Sequence, residues 1–482
     1  MKNGILTSIL FTGGLAAGGI TGERPNIILI MADDLGYGDV SCYPHLYDIE
    51  TPNIDRLAKE GVRMTQAYSA APVCSPTRAA LLTGKFPQRA GVYGNYDGSN
   101  PGVGPFRNTF PVLLQRAGYR TAWFGKWHQG WDVSNHPLNN GFDVAFGYLG
   151  GMHDYFEAAV GDHYIGGPFA PHAFIFDGFS PVREMDYLTE ELNRRAVRFI
   201  KENAGEPFFI YLAHSSPHTP IQAPDHALKK FVTPDGDPME ITRRAMIDVL
   251  DTGVGELLAA LDAAGVRENT LVIFTSDNGA ENQIYNGGLR GTKMSPWEGA
   301  TRIPLIASWP ETLPAGAVRD TICSTPDLSA TFLNIAGVDC NVLNLDGVNL
   351  MPFWNGSQSG HAHDGLVWTI HINGPSGTAP AADNTDLLMV RLGDWKLSRD
   401  TKRKIDALYN LADDPAEKKD LSAEFPEKKA QLIAYAVEFF KICPPASGPV
   451  ANFDTRRDGD HLMAEATRAH YEEVLKKKDG KQ

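Results

Sequence analysis

Four apolar runs in this sequence each lead into side chains able to do chemistry. Asn26 to Met31 precedes Asp33 and Asp34, Thr121 to Phe124 precedes Lys126 and His128, Phe208 to Ala213 precedes His214 and His218, and Leu271 to Thr275 precedes Asp277 and Asn278. Two adjacent carboxylates repel each other and suffer desolvation when buried, so Asp33 and Asp34 call for positive charge between them, and a bound cation is the simplest remedy. Asp277 and Asn278 add a carboxylate and an amide oxygen. An all-oxygen donor set of this kind suits Ca²⁺ or Mg²⁺ better than Zn²⁺. Taken singly, each pair is as readily a turn, Asn-Gly being a common one; brought to one edge together, they favour a metal.

Cys74-Ser75-Pro76-Thr77-Arg78 runs into Ala79, Ala80, Leu81 and Leu82, which places Cys74 at a helix N-terminus. That end carries partial positive charge and free N–H groups, and so favours an anionic nucleophile or an anionic substrate. A single cysteine before a helix is otherwise an ordinary buried residue.

The elements that must position these groups follow from the apolar pattern. Short β-rich runs alternate with helical periodicity over the first two thirds of the chain, the pattern of an α/β fold with a large, mostly parallel sheet sandwiched by helices. Ligands bind outside the carboxyl ends of such strands, so the four runs would deliver their polar residues to one crevice. Ile303 to Ser308 adds a further strand. Thr51 and Pro52 supply an N-cap and an N1 proline for a helix closed by Gly61. Further helices are expected over 186–203 and 241–263. From about residue 360 strands at 367–372, 387–392 and 394–397 follow without intervening helices, and helical patterns cover 424–440 and 461–477. The expected organisation is a signal peptide over 1–22, a large domain over 23–360, and a small C-terminal α+β subdomain with an antiparallel sheet over 361–482.

At 482 residues the chain is too long for one ordinary core, and 43% hydrophobic with 21% charged residues is the balance of a globular protein. A formal net charge of -14 argues against nucleic acid or an anionic membrane as the main partner. Met1-Lys2-Asn3, the apolar stretch Ile5 to Ile20 and polar Thr21 to Arg24 fit a secretory signal, and no later run is long enough to span a bilayer. The expectation is a secreted or periplasmic protein without stable membrane insertion. Five scattered cysteines, an odd number, argue against a disulfide framework and leave a thiol unpaired or chemically altered.

Cys74-x-Pro76-x-Arg78 followed by Ala79-Ala80-Leu81-Leu82-Thr83-Gly84 resembles the signature of the type I, formylglycine-dependent sulfatases of the alkaline phosphatase superfamily. Gly118-Tyr119-Arg120-Thr121 leading to Gly125-Lys126-Trp127-His128 is similar to the family's second signature. The likeness continues through Pro217-His218-Thr219-Pro220, Ser276-Asp277-Asn278-Gly279, and Lys293 before Trp297-Glu298-Gly299. It runs in order from Pro25 to Pro310, and Leu408-Tyr409-Asn410-Leu411 before Asp414-Pro415 looks like the family's small domain. Two departures stand out: Gln129 where Leu is commoner, and Ala300-Thr301 in place of Gly-Val before Arg302. Neither is expected to touch a catalytic group.

The resemblance implies that Asp33, Asp34, Asp277 and Asn278 bind Ca²⁺, rather than Mg²⁺, together with a formylglycine made from Cys74 by a separate maturation enzyme. It implies that Arg78 and Lys126 hold the formylglycine and the sulfate, and that His128, His218 and Lys293 handle protons and substrate charge. The chemistry is consistent: a sulfate ester repels nucleophiles with its anionic oxygens, so fixed cations and a metal must neutralise them. A hydrated aldehyde offers one hydroxyl to attack sulfur. The other, deprotonated by a base such as His128, expels sulfate. His214 is expected to be a hydrogen-bonded structural residue.

A Gly-rich stretch over 87–175 carries Tyr93, Tyr96, Trp131, His153, Tyr155, His163, Tyr164 and His172. Aromatics beside hydrogen-bonding groups suit a sugar, so the expected substrate is a sulfated saccharide; ordinary loop packing explains them almost as well. A phosphodiester or phosphonate monoester hydrolase with the same modified cysteine, and a non-catalytic Ca²⁺-stabilised carbohydrate-binding protein, are the competing readings.

Overall fold

Strand β1 (Asn26–Ala32) is buried along its whole length, because parallel neighbours flank it and helices cover both faces. The computed structural model describes residues 24–95, 108–159, 174–340, 343–372, 380–445, 457–478 and 480. The expected signal segment lies outside them. Along the chain the remaining strands of the large sheet and its annex are β2 (Val62–Met64), β3 (Ala67–Tyr68), β4 (Arg120–Lys126), β5 (Val144–Tyr148), β6 (Phe176–Asp177), β7 (Ser180–Pro181), β8 (Phe208–Ala213), β9 (Thr270–Ser276), β10 (Leu305–Ser308), β11 (Ala317–Arg319) and β12 (Cys323–Ser324). A ten-stranded sheet runs in the order β11-β2-β10-β9-β1-β8-β4-β5-β6-β7, and β3 pairs separately with β12. The central stretch from β9 to β5 is parallel; β10 joins β9 antiparallel.

Side chains along β1 alternate between two cores. Ile28 and Ile30 face helices α1 (Pro52–Glu60), α4 (Leu188–Asn203), α5 (Asp225–Phe231) and α6 (Pro238–Ala263), whereas Ile27, Leu29 and Met31 face α2 (Cys74–Thr83), α3 (Phe110–Arg116), α8 (Pro326–Ile335) and α9 (Met351–Trp354). A period of two applied to an unbroken apolar run thus fills both faces, each fully buried Ile or Leu contributing roughly 1.5–3 kcal/mol. The short α7 (Glu298–Thr301) lies outside these two layers' long helices. Helix α1 starts at Pro52 as expected, but Thr51 makes no side-chain cap: its hydroxyl instead accepts from the Ser41 amide at 2.9 Å. Asp251 takes over the orphan donors, accepting from the amides of Asn53 and Ile54.

The C-terminal antiparallel sheet is β13 (Gly365–Ile372), β14 (Thr385–Leu392), β15 (Trp395–Asp400) and β16 (Ile405–Asn410). Helix α10 (Pro426–Phe440) covers one face through Leu432, Ala436 and Phe440. The other face presents Leu366, Trp368 and Met389 to Tyr68, Ala71 and Val73, the approach to Cys74. Strand β16 was not among the expected strands. Both its faces are covered, Leu408 by α10 and Ala407 and Tyr409 by a cluster with Trp297, so it lacks a polar alternation. The last helix, α11 (Arg457–Lys478), departs from its expected place in the small subdomain. Tyr471 and Val474 join the core with α5 and α6, and the Tyr471 hydroxyl donates to the Thr233 carbonyl at 2.6 Å. Periodicity signals that a helix has an apolar stripe; it does not say which layer receives it.

Candidate active site

The carboxyl ends of β1, β4, β8 and β9 converge, as the strand-end placement requires. Asp33 donates its amide to the Ser216 carbonyl at 3.2 Å, and Asp277 its own to Ala32 at 3.2 Å, so the strand ends are knitted by backbone. Asp34 turns out of β1 in the left-handed region, φ 59°, and its amide donates to Asp277 Oδ1 at 3.3 Å. Lys126 is the last residue of β4. Gly125 before it has φ 119°, and a Cβ there would fall 1.9 Å from the Ala213 carbonyl oxygen, so only glycine permits this close approach of β4 to β8. Cys74 is the first residue of α2 and is 1% exposed.

Each carboxylate has found a cation from the chain itself. Lys126 Nζ lies 2.5 Å from Asp33 Oδ2, Lys293 Nζ lies 2.7 Å from Asp34 Oδ1, and Arg78 grips Asp277 Oδ2 through Nε at 2.9 Å and Nη2 at 2.8 Å. Three acids facing three bases leave the cluster formally neutral. The expected repulsion between Asp33 and Asp34 is thus relieved first by two lysines, one on each, and not solely by a bound ion. Burial pushes the Asp33 carboxyl well above its ordinary range, with Asp277 adding to the rise and Lys126 and Arg78 opposing it. Burial also acts to raise Asp34, but Lys293, His218 and Lys126 together drive it below the usual carboxylate range. Burial acts to lower the Lys293 pKa, but Asp34 together with Cys74, Glu281 and Asp33 outweighs it, so Lys293 holds its proton more tightly than a free lysine.

The donor set nevertheless fits a hard divalent cation. Asp33 Oδ1 and Asn278 Oδ1 are buried oxygens with no hydrogen-bond partner, since Lys126 takes only the other Asp33 oxygen and Asn278 spends its Nδ2 on Asp34 Oδ1 at 2.7 Å. Unpartnered buried acceptors are costly unless a ligand completes them. Ligand atoms of Asp33, Cys74 and Asp277 lie within 4.8 Å of one another, as do those of Asp33, Asp34 and His218.

The histidines divide by their partners. His218 Nδ1 donates to the Thr219 carbonyl at 2.6 Å, which leaves Nε2 facing Asp34 Oδ2 at 3.6 Å. His128 sits at φ 55° with Nδ1 unpartnered, its ring pressed against Gly151, where a Cβ would come within 2.8 Å. Burial lowers the pKa of both well below the ordinary imidazole value, reinforced for His128 by Lys126 and Arg78. Both are therefore neutral near pH 7. His214 differs from expectation: it is fully buried, neither ring nitrogen has a partner, and burial lowers its pKa to about 3. Burial also pushes the Cys74 thiol up, against the opposing pull of Lys126 and Lys293.

Several contacts had no signal in the sequence. Asn95 Oδ1 accepts from the Ser75 amide at 3.1 Å and lies 3.7 Å from Cys74 Sγ. Arg243 of α6 binds both oxygens of Asp39 and donates to the Asp34 carbonyl at 3.1 Å, fixing the left-handed turn from behind. Gln129 was visible only as a departure, and its contacts are to backbone and not to a catalytic side chain. Its Nε2 donates to the His128 carbonyl at 2.7 Å and to the Ser75 carbonyl at 2.8 Å, a tie between two site segments that leucine could not make.

The aromatic stretch also reads differently. Tyr93, His153 and Tyr155 are buried, with the Tyr155 hydroxyl donating to the His218 carbonyl at 2.9 Å and that of Tyr93 lying 2.6 Å from the Pro444 carbonyl; Trp131 packs against the core. Tyr93, His153 and Tyr155 are therefore not open sugar platforms, whereas Trp131 is only partly buried. Tyr96, His163, Tyr164 and His172 lie outside the described residues.

Strand ends that gather fixed cations and hard oxygens around one helix N-terminus define an enzyme for anionic esters. A family model described as Sulfatase matches residues 25–338. Steryl-sulfatase of Mus musculus is 32% identical over 444 residues, covering 75% of this chain and 70% of its own. N-acetylgalactosamine-6-sulfatase of Canis lupus familiaris is 34% identical over 387 residues, covering 73% and 70%. Among solved structures, Ps i-CgsB in complex with k-i-k-neocarrahexaose superposes with a TM-score of 0.80 at 31% identity, covering 93% of this chain and 99% of that one. The chain belongs to the Sulfatase family and is a sulfuric ester hydrolase.

Proposed function

We propose that this enzyme removes sulfate from a sulfated saccharide, using a formylglycine made from Cys74 and a Ca²⁺ ion held by Asp33, Asp34, Asp277 and Asn278 with the modified side chain. The observation that carries the reading is the position of Cys74, within 4.8 Å of Asp33 and Asp277 ligand atoms and walled by Arg78, Lys126 and Lys293. When present, the aldehyde hydrate supplies a nucleophile and an internal route for expelling sulfate, and Ca²⁺ supplies charge beyond the balanced acid–base set. Arg78 and Lys126 would orient the nucleophile and the sulfate oxygens. Lys293, which keeps its proton, would neutralise charge. His128, neutral with Nδ1 unpartnered, suits a base; neutral His218 spends its one ring proton on the Thr219 carbonyl through Nδ1, so the leaving group's proton would come from Lys293.

The saccharide assignment is supported by the names of the relatives, an N-acetylgalactosamine-6-sulfatase and a complex with a neocarrahexaose. The steryl-sulfatase relative makes a steryl ester the necessary control. The reading includes export, with residues 1–22 as a removable signal, action by a maturation enzyme, and a division near residue 360 between catalytic domain and C-terminal subdomain. Among the described residues no helix is long and apolar enough to cross a membrane.

The test combines mass spectrometry of position 74 in active protein with sulfate release from sulfated mono- and oligosaccharides, an aryl sulfate and a steryl sulfate. The expected result is an aldehyde or its hydrate at position 74, saccharide turnover, loss on chelation restored by Ca²⁺, and background rates for Cys74→Ala. An intact thiol in fully active protein overturns the formylglycine. Turnover of the aryl or steryl ester alone overturns the saccharide, and preference for matched phosphate esters favours the phosphohydrolase reading.

A further inference from the structure

The segment from Gly287 to Glu298, which carries Lys293, is a strap rather than a strand or long helix. Its middle is tied to the site by backbone: the Lys293 amide donates to Ala280 at 2.9 Å, two residues beyond Asn278, and the Met294 amide to Pro72 at 3.0 Å, two before Cys74. Met294 is in the left-handed region at φ 60°, a conformation that persists only where surroundings enforce it. Local bonds such as that of the Gly299 amide to the Arg290 carbonyl at 2.7 Å hold part of the strap, and both its ends also meet one residue of the C-terminal subdomain. Glu417 accepts the Glu298 amide on Oε2 at 2.6 Å, and its own carbonyl accepts from Arg290 Nη1 at 2.7 Å. Arg290 and Glu298 bracket Lys293.

Glu417 is itself over-determined. It is fully buried, has φ 53°, and its Oε1 lies 2.9 Å from Lys396 Nζ, which also reaches Glu298 Oε1 at 3.0 Å. Tyr68 donates to the other Glu298 oxygen at 2.7 Å, so the clamp closes on the run leading to Cys74. A buried acid pair around one lysine is not a cheap way to gain stability; an apolar cluster of like volume would serve as well. Its use here is geometric.

We infer that Glu417 is a positioning residue for sulfate-ester hydrolysis, holding the Lys293 strap at both ends so that the Lys293 ammonium meets Asp34 and the substrate. The inference rests on the role assigned to Lys293 above. Misplacing one fixed charge by about an ångström costs on the order of a hundredfold in rate.

The experiment is a double-mutant cycle on the full-length enzyme, with position-74 modification matched by mass spectrometry and an aryl sulfate as substrate. Glu417→Ala should lower kcat on the order of ten- to a hundredfold. In a Lys293→Ala background the same change should cost less than about threefold further, because the positioned group is gone. Glu417→Gln, which can still accept the Glu298 amide, should recover most of the loss. If Glu417→Ala does not fold, Glu417→Asp, which keeps the charge and shortens the arm, takes its place in the cycle. A loss of equal size in both backgrounds, or no loss from the truncation, overturns the inference. A fully active Lys293→Ala would instead overturn the assignment of Lys293 itself.

Discussion

Lys126 and Lys293 do the same electrostatic work on neighbouring acids, yet the molecule holds them by different means. Lys126 ends β4, where it pairs with Tyr148 of β5 while Gly125 before it pairs with Ala213 of β8, and its side chain is fully buried on Asp33. Lys293 lies on a strap whose ends are fastened by a residue more than a hundred positions later in the chain. The first half of the site, Asp33 with Lys126, Arg78 and Asp277, is carried on the sheet and one helix. The second half, Asp34 with Lys293 and His218, depends on left-handed turns and tertiary clamps. Sites on regular elements hold their geometry more tightly than sites on loops, so damage to the two halves should differ in kind.

The largest contrast should come from Arg78→Ala against Lys293→Ala. Arg78 lies within α2, is fully buried, and its truncation strips Asp277 Oδ2 of its guanidinium partner. Breaking such a pair costs about 3–5 kcal/mol, so both activity and folding should suffer. Lys293→Ala should lose activity comparably but cost only about 1–3 kcal/mol, because the space vacated by the lysine can admit water to Asp34. Chemical denaturation beside sulfate release reads both quantities. Equal stability losses would erase the proposed difference between the halves.

The same division governs what the sequence made legible. Residues at strand ends were readable because an apolar run followed by polar side chains specifies both a strand and the edge to which it delivers them; Asp33, Lys126, His218 and Asp277 all fall there. Cys74 and Arg78 were readable from the helix N-terminus. Lys293 had no such local signal and came only with the resemblance, since nothing in Gly287 to Glu298 indicates that a strap will fold over Asp34. Asn95, Arg243 and Glu417 were unreadable for the same reason. Each acts by accepting or donating to backbone far away in sequence, and such contacts leave no periodicity. The covered faces of β16 hid that strand in the same way, and the apolar stripe of α11 did not declare its partner.

Two histidines extend the comparison to pH. His214, at the end of β8, is buried neutral with a pKa lowered to about 3 against an ordinary value of 6.5. The unfolded chain therefore binds a proton that the native state refuses, and stability falls as pH drops from 6.5 towards 3. The slope should approach about 1.4 kcal/mol per pH unit between roughly pH 6 and pH 4. Replacing it in His214→Leu should flatten the acid side of the thermal midpoint profile; an unchanged profile would mean that water or a neighbour solvates the ring.

His363 should show the opposite slope and a smaller one. It lies at the entrance to β13, where its Nε2 meets Asp327 Oδ1 of α8 at 2.8 Å, linking the small sheet to a helix of the large domain. Burial acts to lower its pKa, but Asp327, with help from Asp346 and Asp364, raises it above the ordinary imidazole value. A raised pKa means that the native state binds the proton more tightly, so this stabilisation is complete below the unfolded value of 6.5 and is lost as pH rises through the folded one. His363→Gln should therefore unfold at lower temperature than the parent in mildly acidic buffer, and the two midpoints should converge on the alkaline side. The gap should be about 1.5–3 kcal/mol, the usual worth of a hydrogen bond to a charged group, because the Asp327 side chain is fully buried and that of His363 nearly so. A gap that stays constant with pH would show that a neutral imidazole makes the bond, and that the tie between sheet and helix is a hydrogen bond without charge.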